Sequence, residues 1–138
     1  MSEAEKNMQE NPQEETAKIM SPLDVAEAVA RGTMKLLVPI EDGENTYEEL
    51  KYDFTRLTGW ELARAIDSGA ERGASHNNMT DVQALCLFAA AAAKCTGGLD
   101  ATDIRDRLSA QDAILGISTA MTFFRGSLLA GSLRITKS

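Results

Sequence analysis

Few side chains in this sequence are of the types that perform nucleophilic or acid–base chemistry at neutral pH. The single histidine, His76, lies in a polar stretch of small and amide residues. A catalytic histidine needs a nucleophile and an orienting carboxylate within reach, and no serine or cysteine stands in a nucleophile motif. We therefore interpret His76 as a solvent-exposed loop residue.

The two cysteines, Cys86 and Cys95, are nine residues apart in a stretch that predicts one helix. At about 100° per residue they lie on roughly opposite sides of that helix, so they cannot pair with each other. We expect free thiols in a reducing compartment. One histidine and two separated cysteines also cannot assemble a structural zinc site.

The carboxylates are the remaining candidates for chemistry. Asp100, Asp103 and Asp106 recur at steps of three, but they lack the alternating ligands, central glycine and distal glutamate of a helix–loop–helix calcium site. Asp100 instead predicts a helix N-cap, with Asp103 as a favourable first-turn charge. A second acidic cluster is interpreted as a solvated turn: Glu41, Asp42 and Glu44. The sequence therefore predicts no catalytic, cofactor-binding or metal residues, and we expect a protein that is not an enzyme.

Charge and hydropathy narrow the function classes further. The net charge of −7 and the absence of a dense basic cluster argue against a nucleic-acid partner. The amino terminus lacks the basic-then-apolar pattern of a signal peptide. The longest apolar run, residues 84–93, is shorter than the roughly 20 residues of a membrane span. We expect a cytoplasmic protein without a membrane partner.

The 138 residues suffice for one domain. Residues 1–18 are acidic and poor in large apolar side chains, which predicts a disordered extension. A single helical domain is predicted over residues 19–130, and residues 131–138 are predicted to form a flexible tail. Ser21 and Pro22 favour a first helix over residues 22–31, which Gly32 ends.

A β-hairpin is predicted at about residues 34–55. Alternation with a period of two defines the strands, whose apolar sets are Leu36, Val38 and Ile40 on the first and Leu50, Tyr52 and Phe54 on the second. Pro39 cannot donate to a ladder, which makes the first strand an edge strand or places Pro39 at its end. The turn over residues 41–45 is predicted to be longer than the tightest two-residue loop.

Helix starts follow the hairpin. Capping boxes at Thr58 and Thr80 predict a helix over residues 59–72 and an alanine-rich helix that is apolar on every side. Asp100 begins a short helix, and Ser109 begins the last long one. The fold class is therefore mainly α with a small N-terminal β-hairpin (α+β), with about four to five helices packed around the alanine-rich central helix.

The last helix carries a stripe at alternating steps of three and four: Ile114, Ile117, Met121, Phe124 and Leu128. Such spacing is typical of the core-facing side of an amphipathic helix, and also of an intermolecular coiled coil. We favour the core-facing interpretation.

The segment from hairpin to helix resembles the tail assembly chaperone family of long-tailed bacteriophages and prophages. The matching residues, in order, are LLVPI at 36–40, Gly43, YEEL at 47–50 and LTGWEL at 57–62. LSAQD at 108–112, leading into the aromatic pair at 123–124, is a second likeness. The resemblance covers residues 33–126 and leaves out the acidic extension and first helix.

The resemblance implies a phage tail assembly chaperone that binds the tape measure protein, keeps it soluble and assists tail assembly in the host bacterial cytoplasm. It implies self-association as well, with the tail tube protein as a further candidate partner. The alternative is a small phage structural or head–tail joining protein that is retained in the virion.

Apolar stripes of this kind can cover a long helical partner in a helix-in-groove manner. Our hypothesis places partner binding on the last helix, with the open hairpin edges as a second candidate surface. The predicted partner-binding residues are Ile117, Met121, Phe124, Leu128 and Leu129.

Overall fold

The computed structural model describes residues 21–68, 79–132 and 134. Within these ranges five α-helices accompany one antiparallel hairpin, which confirms the predicted α+β class. The predicted disordered extension and the His76 loop lie outside the described residues. The elements are α1 (Pro22–Val29), β1 (Arg31–Asp42), β2 (Asn45–Asp53), a 3-10 turn (Phe54–Arg56), α2 (Gly59–Ser68), α3 (Asp81–Cys95), α4 (Ala101–Arg107) and α5 (Ala110–Ser132).

Local capping signals place the helix starts as predicted. Ser21 and Thr80 each accept a hydrogen bond from the third helical amide in a complete capping box. Thr58 and Glu61 exchange the same two bonds at 3.1 and 2.9 Å. The ends agree less well, because α1 stops at Val29 and α5 continues through Ser132, past the predicted start of the tail.

The hairpin turn is tighter than predicted. Asp42 pairs directly with Asn45, so the loop has two residues, Gly43 and Glu44. Gly43 has φ +64°, whereas no described non-glycine residue has a positive φ. This is the pattern of a type II′ turn, in which glycine occupies the first loop position and matches the strand twist.

The middle of β1 bulges away from β2. Lys35 pairs with Glu49 and Ile40 with Tyr47, so four residues of β1 stand against one of β2. The predicted apolar set of the first strand is therefore wrong at Val38, which is 51% exposed, and Met34 is buried beside Ile40 instead. Pro39, within the bulge, gives the physical reason, since it cannot donate to a regular ladder.

Helix α3 is the centre of the core, as predicted. Its residues Leu87 and Phe88 are fully buried, together with most of its alanines. Tyr52 of β2 lies 5.3 Å from the Phe88 ring, and Phe54 stacks on Phe123 of α5 at 4.7 Å. Cys86 is buried and Cys95 half-buried, and neither forms a disulfide, which confirms the predicted free thiols.

Candidate functional site

Helix α5 turns its small side chains toward the core. Gly116, Ala120, Gly126 and Ala130 are buried along it. A Cβ built on Gly116 would lie 2.7 Å from the Phe88 ring, and one on Gly126 would lie 2.9 Å from the Pro22 carbonyl oxygen. Because small residues let helix axes approach closely, α3 and α1 both lie against this side of α5.

Most of the larger side chains of α5 lie away from this buried side, and Phe123, which packs against the core, is the exception. Ile114 is 66% and Leu128 49% exposed, while Ile117 and Met121 are partly buried at the margin of the core. The interpretation of the whole stripe as core-facing is therefore wrong at its two ends. The reason is close helix contact: α3 and α1 fit against glycine and alanine, which leaves the two ends of the stripe outside the core.

An apolar groove of about 690 Å³ runs along the outer side of α5, bordered by α1 and the start of α3. We call it the α1–α5 groove. Its apolar lining includes Pro22, Val25, Ile114, Ile117, Met121 and Leu129. Among the described lining residues, Asp81 and Arg125 carry the charges. A long groove with apolar walls and two charges suits a helical apolar segment better than a small polar substrate.

The structure brings most of the predicted partner-binding residues to this groove. Ile117, Met121 and Leu129 line it. Leu128 is exposed on the same outer part of α5, whereas Phe124 is half-buried and is not among the lining residues. The five positions therefore divide into three that line the groove, one exposed neighbour and one at its margin.

Exposed large apolar side chains concentrate on the same part of the molecule. Six of the nine such residues in the described ranges belong to α1, α5 or the first turn of α3: Leu23, Val82, Ile114, Leu115, Leu128 and Leu129. Sequence reasoning missed Leu23, Val82 and Leu115. Leu23 and Val82 lie on α1 and α3, and Leu115 lies outside the stripe of α5. Of these six exposed residues, Ile114 and Leu129 line the groove. Large apolar side chains that stay exposed beside an apolar groove are typical of an interaction surface.

The buried carboxylate of Asp112 joins the hairpin to the start of α5. Its two oxygens accept the amides of Leu37 at 3.0 and 3.1 Å and of Val38 at 3.2 Å, and Ser109 donates to it at 2.9 Å. Burial opposes ionisation, but these amides and the hydroxyl outweigh it and lower the pKa of Asp112. The sequence marked Asp112 only as part of a helix start.

Two further ion pairs hold neighbouring elements. Arg107 of α4 donates to the Glu41 carbonyl at 2.8 Å and to the Asp42 carboxylate at 3.0 Å, so Asp42 is not the solvated turn residue that was expected. Lys94 of α3 donates to Glu61 of α2 and lowers the pKa of Glu61 to about 2. The carboxylates of Asp42 and Glu61 therefore have structural roles, because each forms an ion pair with a neighbouring element.

The described side chains do not converge as a metal site. In residues 21–68 and 79–132, no three His, Cys, Asp or Glu side chains come close enough to hold an ion. A second cleft of about 320 Å³ between α2, α3 and α4 contains Arg64, Cys86 and Arg105. The guanidinium of Arg105, in this second cleft, forms an ion pair with the carboxylate of Asp106 at 2.9 Å.

Helix α5 also meets the length and composition of a membrane span. Over Ala110–Gly131 its mean hydropathy reaches 1.4, and 22% of that window is buried. Helices of soluble proteins meet the same criterion, so length and composition alone do not assign α5 to a membrane.

Comparison with known proteins finds no matching family model, no matching curated protein and no matching solved structure.

Proposed function

We propose that this protein is a tail assembly chaperone of a long-tailed bacteriophage or prophage. It binds the tape measure protein, keeps that protein soluble and assists tail assembly in the host cytoplasm. The observation that carries the proposal is the α1–α5 groove, whose apolar lining and exposed neighbours suit the apolar stripe of a long helix. The likeness of residues 33–126 to the chaperone family supports the choice of partner.

The groove has the dimensions of a helix-binding site. The lining of the groove on α5 runs from Ile114 to Leu129, which is about 22 Å at 1.5 Å per residue. A partner helix of about four turns would lie along it and place an apolar side chain in the groove at every third or fourth residue. Each buried leucine or isoleucine contributes roughly 1.5–3 kcal/mol, so a few contacts give useful affinity.

The charge distribution fits the same role. The chain has a net charge of −7, yet Asp81 and Arg125 balance each other among the described lining residues of the groove. An apolar binding face with acidic surfaces elsewhere keeps a chaperone and its cargo soluble, because net charge opposes nonspecific association.

The test is co-expression with the longest helical protein encoded just downstream, scored by solubility and co-elution. We expect the partner to be insoluble alone and to co-elute with this chain. Replacing two exposed groove residues, Ile114→Gln with Leu129→Gln, should weaken the complex at least about tenfold, since about 1.4 kcal/mol changes affinity tenfold.

The matched control changes exposed apolar residues outside the groove. Leu37 and Val38 are 68% and 51% exposed on the β1 bulge, close to the 66% and 52% of Ile114 and Leu129. This pair also tests the hairpin edge, the second candidate surface. If the groove is the binding site, Leu37→Gln with Val38→Gln should leave co-elution unchanged. Equal loss in both pairs would contradict the groove as the binding site.

Two other outcomes would overturn the proposal itself. Recovery of the chain from purified virions, without binding to the downstream helical protein, would favour a structural or head–tail joining protein. Flotation of the chain with phosphatidylglycerol vesicles, lost in the Ile114→Gln and Leu129→Gln variant, would make the outer face of α5 a membrane surface.

A further inference from the structure

We propose that a second copy of this chain covers the α1–α5 groove when no helical partner is bound. The contact is isologous: the same face of both copies meets across a two-fold axis, with the two α5 helices antiparallel. The cargo helix and the second copy then compete for one surface. Only this competition rests on the proposed function, because the dimer itself follows from the groove.

The exposed apolar surface is the first argument for a covering occupant. The groove lining and six exposed large apolar side chains belong to α1, α5 and the first turn of α3, and Ile114 and Leu129 belong to both sets. Leaving such a surface exposed to water is unfavourable, because burial of each aliphatic side chain would release free energy. A second copy is present wherever the chain is made.

The size of the face predicts a reversible dimer. At a helix width of about 11 Å, the 23 residues of α5 and 8 of α1 project roughly 500 Å². Two such faces together remove about 1,000 Å², which is at the lower limit of specific interfaces. A dimer of this size can dissociate when cargo arrives.

Charge complementarity selects a second copy over other occupants. Asp81 and Arg125 are both exposed among the groove residues, and neither side chain forms an ion pair within the described part of the chain. A two-fold axis lets Arg125 of each copy meet Asp81 of the other, so two ion pairs form per dimer. The face is thus complementary to itself in charge as well as in hydrophobicity.

The spacing along α5 allows this antiparallel arrangement. The alternating steps of three and four from Ile114 to Leu128 form a heptad-like seam. A heptad seam has two core positions, a and d. When two such helices run in opposite directions, position a of one helix can face position d of the other. An axis between Met121 and Phe124 places Ile117 of each copy opposite Leu128 of the other, and Ile114 opposite Gly131.

The test uses two single charge reversals, Arg125→Asp and Asp81→Arg, studied separately and mixed. Each variant alone places like charges across both contacts, so its Kd should rise at least about tenfold over the native chain. In a one-to-one mixture, each 125–81 contact joins an aspartate to an arginine. Sedimentation velocity should therefore show a heterodimer near native affinity, although neither variant dimerises well alone.

The controls separate folding from association. Both variants should keep the native circular dichroism spectrum, and the mixing experiment requires only that each single variant folds. The Leu37→Gln and Val38→Gln variant should dimerise as the native chain does. The Ile114→Gln and Leu129→Gln variant should be monomeric.

Three results would overturn the dimer. The first is a native chain that stays monomeric at roughly 100 µM, a concentration at which a dimer with a Kd of about 1 µM would be almost fully formed. The second is a mixture of the two variants that does not recover association. The third is dimerisation that appears only after residues 1–20 are removed. The last result would make the amino-terminal segment the occupant of the groove. Flotation with phosphatidylglycerol vesicles at the expense of dimer would make lipid the occupant.

The dimer and the proposed function fail in different ways. If the chain dimerises as described but no helical partner is solubilised, the dimer stands and the chaperone proposal falls. If the partner binds and the dimer remains intact in the complex, the shared-surface competition is wrong. We expect added partner to convert dimer into a one-to-one or higher heteromeric complex.

Discussion

At the scale of single residues, the carboxylate of Asp112 joins the hairpin to the start of α5. Its carboxylate satisfies two amides of the β1 bulge, which have no ladder partner in β2, and it accepts the Ser109 hydroxyl at the start of α5. Buried amides without a partner are costly, so this one residue allows a four-residue bulge to exist. It also sets where α5 begins relative to the hairpin.

Replacing this carboxylate by an amide tests its role. Asp112→Asn can accept with one oxygen only and loses the charge, so the free energy of unfolding near neutral pH should fall by roughly 2 kcal/mol. Urea unfolding measures this value. Asp67→Asn, at an exposed site on α2, is the control and should be neutral.

The same variant predicts a change in acid stability. The folded chain holds the pKa of Asp112 below 3.8, so the stability from its ionisation is complete above pH 3.8 and is lost as the pH falls through the lower folded value. Asp112→Asn should therefore lose less stability between neutral pH and about pH 3 or below. Equal acid sensitivity in both proteins would contradict this account.

At the scale of elements, the small side of α5 determines which of its faces remains free. Glycine at 116 and 126 lets α3 and α1 approach within contact of the backbone. Apart from Phe123, which packs against the core, the bulky residues are left on the other sides of the helix. The functional surface is thus a consequence of close packing elsewhere on the same helix.

A methyl group at the α1 contact should separate the two helices. In Gly126→Ala the new Cβ would lie 2.9 Å from the Pro22 carbonyl oxygen and 3.1 Å from Ala26 Cβ. We expect an overpacking cost of about 1–3 kcal/mol, offset in part by about 1 kcal/mol from alanine's helix propensity. Thermal unfolding should show net destabilisation.

Gly131→Ala in the same helix is the matched control, because the nearest heavy atom to its new Cβ is 3.8 Å away. It should be neutral or stabilising by up to about 1 kcal/mol. The same sign of effect at both glycines would show that propensity, and not the contact with α1, dominates.

At the scale of the whole molecule, the hairpin, α3 and α5 form one continuous core. The ring of Phe54 links β2 to α5 through Phe123, and α3 contacts both. The groove therefore lies on the outside of a packed unit, so we expect it to be formed before any partner binds.

This predicts which parts of the chain are needed for folding. A chain of residues 19–132 should keep the thermal unfolding midpoint within about 2 °C, because α1 carries its own capping box at Ser21. A chain of residues 19–124 loses Gly126 and Ala130, which are buried in α5. Its midpoint should fall by more than about 5 °C. A large fall in the longer chain would place necessary contacts outside residues 19–132.

The local signals of the sequence determined most of the elements. Serine or threonine caps at 21, 58 and 80 began three helices where predicted, and the alternation of Leu50, Tyr52 and Phe54 marked β2. Capping and strand alternation depend on neighbours within a few residues, so a sequence is enough to locate them.

Tertiary structure decided how the amides of the β1 bulge are satisfied and which face of α5 stays free. The spacing of Ile114, Met121 and Leu128 marked one side of a helix, but a stripe has the same period whether it faces core or solvent. The choice came from Phe88 and Pro22, which fit only against glycine. Likewise, Asp112 accepts a hydrogen bond from Leu37, which is 75 residues away in the sequence. Local residue spacing cannot predict a contact at that sequence separation.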